Sequence, residues 1–327
     1  MPERQFPPLS DPLGETLYQL RLNGSLYCYS ELTAPWGIDM PALDDKMMIH
    51  IVTEGTCWLR VGSEDPVQLQ SGHLALVPKG QGHSICDQMG SPLTGLFDIP
   101  VTHLSERYEI MKHGGGGETT RLTCGVVSFD HAAGRQLIQQ LPHVLTIDSW
   151  DDGSSHWLQS LLRFIALEAK ELKPGGETVI THLADILVIQ AIRNWVDHAP
   201  EARTGWFAAL RDRKIGAALT AIHRQPEAPW TVDSLAREAG MSRSGFSARF
   251  TDLVGDTVKH YLTRWRMQVA TVKLKHGNTS ITTLSEELGY HSEAAFSRAF
   301  KRVTGYSPGH IQRQKVMVDS PHHTKGD

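Results

Sequence analysis

The sequence predicts a two-domain fold: an N-terminal all-β barrel with an α-helical extension, then an all-α C-terminal domain containing two copies of one helical unit. Three observations predict it. The apolar pattern changes period near residue 131, the charge changes sign near residue 204, and Phe246-Ser247-Ala248-Arg249-Phe250 returns fifty residues later as Phe296-Ser297-Arg298-Ala299-Phe300. With 327 residues, 40% of them hydrophobic and 21% charged, each half can bury its own core, and a disordered or collagen-like chain is excluded.

The first ~130 residues alternate short apolar runs with turn signals. The runs are Met47 to Val52, Cys57 to Val61, Val67 to Leu69, Leu74 to Val77 and Gly125 to Phe129; Glu54-Gly55, Gly62 to Pro66, Ser71-Gly72 and Lys79-Gly80 break them. Short strands at close spacing predict a sandwich or barrel. The glycine run 114–117 reads as a loop, since no Gly-Lys-Ser/Thr follows it to cradle phosphate. From residue 131 apolar residues recur at three and four, predicting helices over 132–141, 157–172 and 179–195, with Leu158, Leu161, Leu162, Ile165 and Leu172 on one face. This extension, 131–198, either caps the barrel or pairs with a second subunit. Residues 199–210 read as a linker and 314–327 as a tail.

No apolar run reaches the ~18 residues of a membrane span. The N-terminus lacks the apolar core of a secretory signal, and four cysteines do not make a disulfide scaffold, so a cytoplasmic protein is expected. The net charge of −4 hides an asymmetry. Residues 1–204 hold 14 Lys+Arg against 25 Asp+Glu, whereas residues 205–327 hold 18 against 11, which gives −11 and +7. A basic module joined to an acidic one points to a polyanion partner for the second half alone.

Each repeat parses as a helix, a tight turn and a longer helix. Thr231 caps a helix over 232–239, Gly240-Met241 turns, and Ser242 caps 243–253; Ser280, Gly289 to His291 and Ser292 do the same for 281–288 and 293–303. This is the helix-turn-helix pattern of double-stranded DNA binding, at 231–253 and 280–303. Phe246, Phe250 and Leu253, like Phe296, Phe300 and Val303, fall at i, i+4, i+7 and must be core. The opposite faces then offer Arg243, Ser244, Ser247 and Ala248 in the first copy, and Ala294, Ser297, Arg298 and Lys301 in the second, as candidate DNA-contacting residues. Arg298 has the fork that matches guanine O6 and N7. Between the copies, 258–276 reads as a spacer helix whose Lys259, Arg264, Arg266, Lys273 and Lys275 are expected to meet phosphates.

These residues resemble a known family. Leu235 to Ser242, Tyr261 to Met267, and Leu288-Gly289-Tyr290 through Phe296 and Phe300 to Gly305-Tyr306-Ser307-Pro308 are similar to the AraC/XylS transcription regulators over about residues 211–313. The resemblance implies two helix-turn-helix units joined by a long helix, with base contacts at Ser244, Ser247, Ala248, Ala294, Ser297 and Arg298. Two departures stand out: Thr257-Val258 replaces the usual proline at the start of the linker helix, and Ser285 stands where alanine is usual. The barrel domain, residues 1–130, resembles a cupin over about residues 10–130: Gly72, Pro78, Gly80, His83 and Asp87 match its second motif, with Asp in the place of Asn.

The cupin resemblance opens a second reading, a metal-dependent cupin enzyme fused to a DNA-binding module. Aligning Gly55 with the glycine that closes the first motif puts Met48 where the ligand Glu belongs, and no histidine precedes His50. A full ligand set cannot be drawn, which argues against an enzyme. His50 and His83 remain candidates for a divalent metal in the barrel or for a hydrogen-bonded core pair. Cys86 and Cys124 are candidates for redox sensing, which requires an exposed low-pKa thiolate, or for buried small hydrophobes. The expectation is a transcriptional regulator, more readily an activator, with DNA, a small-molecule effector, RNA polymerase and a second copy of itself as partners.

Overall fold

The computed structural model describes residues 12–18, 22–129, 132–147, most of 160–171, 173–276 and 279–318. They divide into two compact units, one with the described residues of 22–129 and 135–197, the other with those of 12–18, 132–134 and 198–318.

In the first unit twelve strands are described: β1 (Leu22–Thr33), β2 (Gly37–Met40), β3 (Lys46–Glu54), β4 (Thr56–Val61), β5 (Val67–Gln70), β6 (Leu74–Val77), β7 (His83–Cys86), β8 (Thr94–Gly95), β9 (Val101–His103), β10 (Tyr108–Gly114), β11 (Thr119–Phe129) and β12 (Leu145–Ile147). They make a seven-stranded sheet, β12-β6-β3-β11-β1-β10-β9, and a five-stranded sheet, β5-β4-β7-β2-β8. Pairing is antiparallel except for β1 with β10 and β2 with β8. The core lies between the sheets, around Leu32, Trp36, Ile38, Met48, Val52, Leu59, Val77, Ile85 and Leu122.

Strand β3 shows why its apolar run is unbroken. Met48, His50 and Val52 point into the barrel, and Met47, Ile49 and Ile51 point the other way, yet all six are buried. Period-2 geometry gives both faces a partner only if something covers the outer one. The helical extension does so: Tyr27, on the outer face of β1 two strands along the same sheet, donates to Thr181 Oγ1 at 3.1 Å. The glycine run closes the β10–β11 hairpin, where a Cβ on Gly114 would sit 1.8 Å from the Thr33 carbonyl oxygen at φ +126.

The described helices are α1 (Pro12–Tyr18), α2 (Ala132–Gln140), α3 (Gly176–His198), α4 (Gly205–Arg211), α5 (Arg213–Arg224), α6 (Val232–Glu238), α7 (Arg243–Val254), α8 (Val258–His276), α9 (Ile281–Glu287), α10 (Glu293–Thr304) and α11 (Pro308–Val318). Helical residues also occur within 160–171, where Ile165 is buried; Leu158, Leu162 and Leu172 lie outside the described residues. By length and apolarity α3 passes for a membrane span. Its Ile180, Leu187, Val188, Ile192 and Val196 are instead buried within the first unit.

Three boundaries differ from expectation. Residues 199–210 are no open linker: after a 3-10 turn at Pro200–Arg203, α4 buries Trp206, Phe207 and Leu210 in the second unit. Two adjacent aromatics outweighed the Pro and Gly punctuation around them. Helix α1, expected in the barrel domain, packs on α4 and α5, where Pro12 closes on the bare backbone of Gly216. Helix α11 runs to Val318, past the expected start of the tail.

Candidate functional site

The two repeats fold alike, down to their caps. Ser242 accepts from the Gly245 amide at 3.2 Å and Ser292 from the Ala295 amide at 3.2 Å; Gly255 and Gly305 end α7 and α10 in the left-handed region at φ 73 and 80. Gly240 and Gly289 turn each unit at φ 59 and 75. Thr231 forms a capping box with Ser234, and Ser280 accepts from the Thr283 amide. The four phenylalanines are fully buried, as their spacing requires.

The opposite faces are presented together in each unit. Arg243, Ser244 and Ala248 are exposed and Ser247 is partly so on α7; Ala294, Arg298 and Lys301 are exposed and Ser297 is partly so on α10. Arg243 reaches Asp233 at 3.5 Å, an exposed pair that holds it weakly. The corresponding place in the second unit is a hydrogen bond from Thr282 to Glu293 at 2.6 Å. The repeat thus conserves a bridge between its two helices while exchanging its chemistry.

Helix α8 joins the units by entering both cores. Tyr261 accepts from Trp206 Nε1 at 3.0 Å and packs edge-on against Phe250, and Trp265 stacks on His223 at 4.0 Å, all in the core of the first helix-turn-helix. Further along, Met267, Ala270 and Leu274 lie in the core of the second helix-turn-helix with Phe296 and Phe300. One expected phosphate contact needs correction: Arg266 is committed to the carbonyls of Pro226 and Ala228 at 2.6 and 2.8 Å. Arg264 pairs with Asp256 at 3.3 Å and Lys273 with Glu287 at 2.6 Å on the surface, where such pairs hold a cation weakly. Lys259 stays exposed. Sequence showed these cations to be on one helix and not which acceptors the fold brings to them. Both family departures are absorbed locally: the Ser285 hydroxyl donates to the Thr282 carbonyl at 2.8 Å, and Val258 is buried behind Thr257, whose hydroxyl accepts from the His260 amide.

In the barrel, register builds a row of reactive side chains. Glu109, Cys28, Cys124 and His50 are directly opposite one another across β10, β1, β11 and β3. His83 meets this row from the other sheet: His50 Nε2 and His83 Nε2 are 2.9 Å apart, and His50 Nδ1 and Cys124 Sγ 3.2 Å. The tautomers follow from the far end. His83 Nδ1 lies 2.9 Å from the Gln81 carbonyl and must donate to it. His83 Nε2 is then an acceptor, His50 donates to it through Nε2, and the Cys124 thiol donates to His50 Nδ1. The chain is satisfied with every member neutral. Burial sets the same state: it pushes His50 well below and His83 below the usual histidine range, and holds the Cys124 thiol well above the usual cysteine value.

Two sequence expectations meet this geometry. A divalent metal does not fit: the nitrogens that would bind it hydrogen-bond each other, Cys124 lies on the opposite edge of the His50 ring, and among the described residues no three His, Cys, Asp or Glu converge. A resting thiolate at Cys86 or Cys124 does not fit either. Burial raises both thiols, with Arg60 opposing it at Cys86 only in part, and raises Cys28 and Cys57 to about 12. Cys86 faces Trp58 and Gly37 on neighbouring strands, away from the row.

The buried histidine pair makes barrel stability depend on pH. Both folded-state values are depressed, so the unfolded chain binds protons first as pH falls. Their contribution is complete above the unfolded value of about 6.5 and is lost below it, by at most about 1.4 kcal/mol per unit for each histidine. Urea unfolding of the barrel is expected to shift to lower urea between pH 7 and 5, and His83→Gln to reduce that shift; an unchanged midpoint would contradict the neutral chain.

Residues 11–197 match the family described as Cupin and residues 235–314 the family described as Helix-turn-helix domain. The chain is 31% identical over 306 residues to the HTH-type transcriptional regulator AlkR of Acinetobacter baylyi, covering 93% of this chain and 99% of that protein. It is 32% identical over 310 residues to a putative AraC-like transcription regulator of Streptomyces lividans, covering 94% and 99%. To the RCS-specific HTH-type transcriptional activator RclR of Escherichia coli it is 25% identical over 273 residues, 83% of this chain and 86% of that one. Relatives spanning the full length are named regulators, which decides against the fused enzyme. With a cupin-type half followed by two helix-turn-helix units on one spacer helix, the chain belongs to the AraC-type DNA-binding transcriptional regulators.

Proposed function

We propose that this regulator reads a specific DNA site through α7 and α10 and acts, as an activator, on a chemical signal received in the barrel. The observation that carries the DNA half is the pair of exposed recognition faces held on one spacer helix that enters both cores. Arg298 supplies the base fork on α10 with Lys301 beside it, Arg243 stands at the start of α7, and Ser244, Ser247, Ala248, Ala294 and Ser297 make short contacts to base edges. The activator role draws support from the name of RclR. Exposed Phe164, Leu167 and Ile186 on the helical extension support a homodimer. RNA polymerase as partner and a cytoplasmic location follow from the same reading.

Arg298→Ala is expected to cost ~1–3 kcal/mol on a DNA site selected by the native protein from a random pool, with relaxed preference at one base pair and little change on random DNA. Lys259→Ala should weaken both alike. Fluorescence anisotropy measures both, and an equal loss on the two DNAs for Arg298→Ala would refute its role in base reading.

The sensing half rests on the His50–His83 bond, which ties the two sheets of the barrel, and on the row of thiols beside it. A signal that disturbs this chain favours one arrangement of the protein over another, and regulation is the difference in DNA affinity or polymerase contact between them.

A further inference from the structure

The two recognition helices differ at their centres by a transposition: where α10 carries Arg298-Ala299, α7 carries Ala248-Arg249. One residue along a helix is a turn of about 100°, so the guanidinium that α10 offers to DNA is moved on α7 off the base-facing side. We infer that Arg249 and Asp212 are positioning residues: Asp212 holds Arg249, and through it fixes α7 for base reading in its half of the DNA site. This rests on the reading of α7 as a recognition helix and names the groups that set its place.

Asp212 is tied to three helices. Its amide donates to the Ala208 carbonyl at 2.9 Å and closes α4, and its carbonyl accepts from the Gly216 amide at 2.7 Å in the first turn of α5. Its Oδ1 accepts from the amides of Lys214 and Ile215 at 3.0 and 2.9 Å and caps α5. Its Oδ2 accepts from Arg249 on α7, from Nε at 3.0 Å and from Nη2. Both carboxylate oxygens are thus taken by directed donors, and the side chain is only 14% exposed. Burial by itself raises such a carboxyl; the bonds from Arg249, Ile215 and Lys214 outweigh it and hold Asp212 below the usual carboxylate range. That sets the pair apart from Arg243 and Asp233, both exposed, where the cation is held weakly.

The second copy is built without this tie. Ala299, in the place of Arg249, is buried in the core of the second helix-turn-helix, and α10 packs on α8, whereas α7 packs on α4 and α6. The two faces explain the difference. On α7, Ser244, Ser247 and Ala248 offer single hydrogen bonds or methyl contacts of fixed reach. Arg298 on α10 has a long jointed side chain that can follow a shifted helix. A face of short side chains reads bases only where its backbone is held to within about 0.5 Å, and the tie to Asp212 supplies that hold.

Full-length protein on the DNA site it selects from a random pool, titrated by anisotropy against single base-pair changes, tests this. Pairs whose preference relaxes in Arg298→Ala mark the half read by α10, and the rest is read by α7. Asp212→Asn keeps an oxygen for both α5 amides and removes the charge, and Arg249→Gln removes the fork, so each should melt within about 5 °C of native. Each is expected to lower discrimination in α7's half at least about fivefold, the lower end for one mismatched pair, and to leave α10's half within about twofold. Arg249→Lys should recover part of the loss, and the double variant should be no worse than either single one. Unchanged discrimination in α7's half, or an equal loss in both halves, would overturn the proposal. So would weaker binding to all sequences alike with a salt slope shallower by about one in Arg249→Gln, which places Arg249 on a phosphate. Ala248→Glu tests the underlying reading by setting a carboxylate on the base-facing side. Binding lost there, with discrimination intact in the Asp212 and Arg249 variants, overturns the tie and leaves α7 on the DNA. Native binding there removes α7 from the DNA and the role of the tie with it.

Discussion

Phe296→Ala is expected to destabilise the second helix-turn-helix by about 3–5 kcal/mol and to abolish specific DNA binding. Phe296 is completely buried at the centre of a cluster with Met267, Leu274, Leu284, Leu288 and Phe300. Its ring meets Tyr290 edge-on at 5.5 Å and Phe300 at 5.7 Å, so truncation removes aromatic contacts as well as buried area. Three elements converge on the vacated space, α8, α9 and α10, and none can collapse into it without leaving its own partners. A domain of this size has about 5–15 kcal/mol of stability in all. The loss therefore takes most of what holds α10 in place. Hydrogen exchange should show faster opening over α9 and α10 while the barrel strands keep their protection, and Phe296→Leu should recover roughly half the stability. Uniform loss across the whole chain, or native protection in α10, would contradict a core confined to the second unit.

That core was legible because the repeat stated it twice. Two phenylalanines four residues apart, copied at a distance of fifty residues, admit one helical face, and serine and glycine at matching places gave the caps and turns. The long central strands were less legible: β1 carries Asn23, Gly24, Ser25 and Ser30 among its apolar residues, and only pairing on both sides with β10 and β11 makes it a strand. The sensor site was legible in its parts and not in its arrangement. His83 was singled out by motif, His50 as a metal candidate and Cys124 as a redox candidate, yet the row Glu109-Cys28-Cys124-His50 is a product of register between strands far apart in sequence. Hydrogen-bond direction, which turned a metal candidate into a proton chain, depends on one backbone carbonyl, that of Gln81. The same limit misassigned Arg266: its charge is visible in sequence, and the carbonyls it serves are forty residues away.

Arg266→Ala should separate the two DNA-binding units in function without removing either. Its guanidinium donates to the carbonyls of Pro226 and Ala228, in the loop that leads to the first unit, and lies 5.9 Å over the ring of Tyr290, in the turn of the second. A Cβ on Gly289 would fall 2.7 Å from the Glu227 carbonyl oxygen, so that loop and that turn are in direct contact. Arg266 is half-buried, and burial lowers its pKa from the ordinary arginine value, as expected of a cation held by neutral acceptors. Removing it leaves two carbonyls short of a charged donor, a cost of roughly 2–4 kcal/mol. Lysine has no fork to span both carbonyls, so Arg266→Lys should recover only part of this. The larger effect falls on binding. Two units fixed relative to each other engage a full site as one body, and loosening them forfeits an advantage of about a hundredfold or more. Affinity for the full site is expected to fall by that factor, while affinity for either half-site stays within about threefold of native. Salt dependence separates this from a lost phosphate contact: Lys259→Ala should reduce the slope of log K against log salt by about one, whereas Arg266→Ala should leave the slope on each half-site unchanged. A parallel fall on half-sites and full site, with a shallower slope, would place Arg266 on the DNA instead.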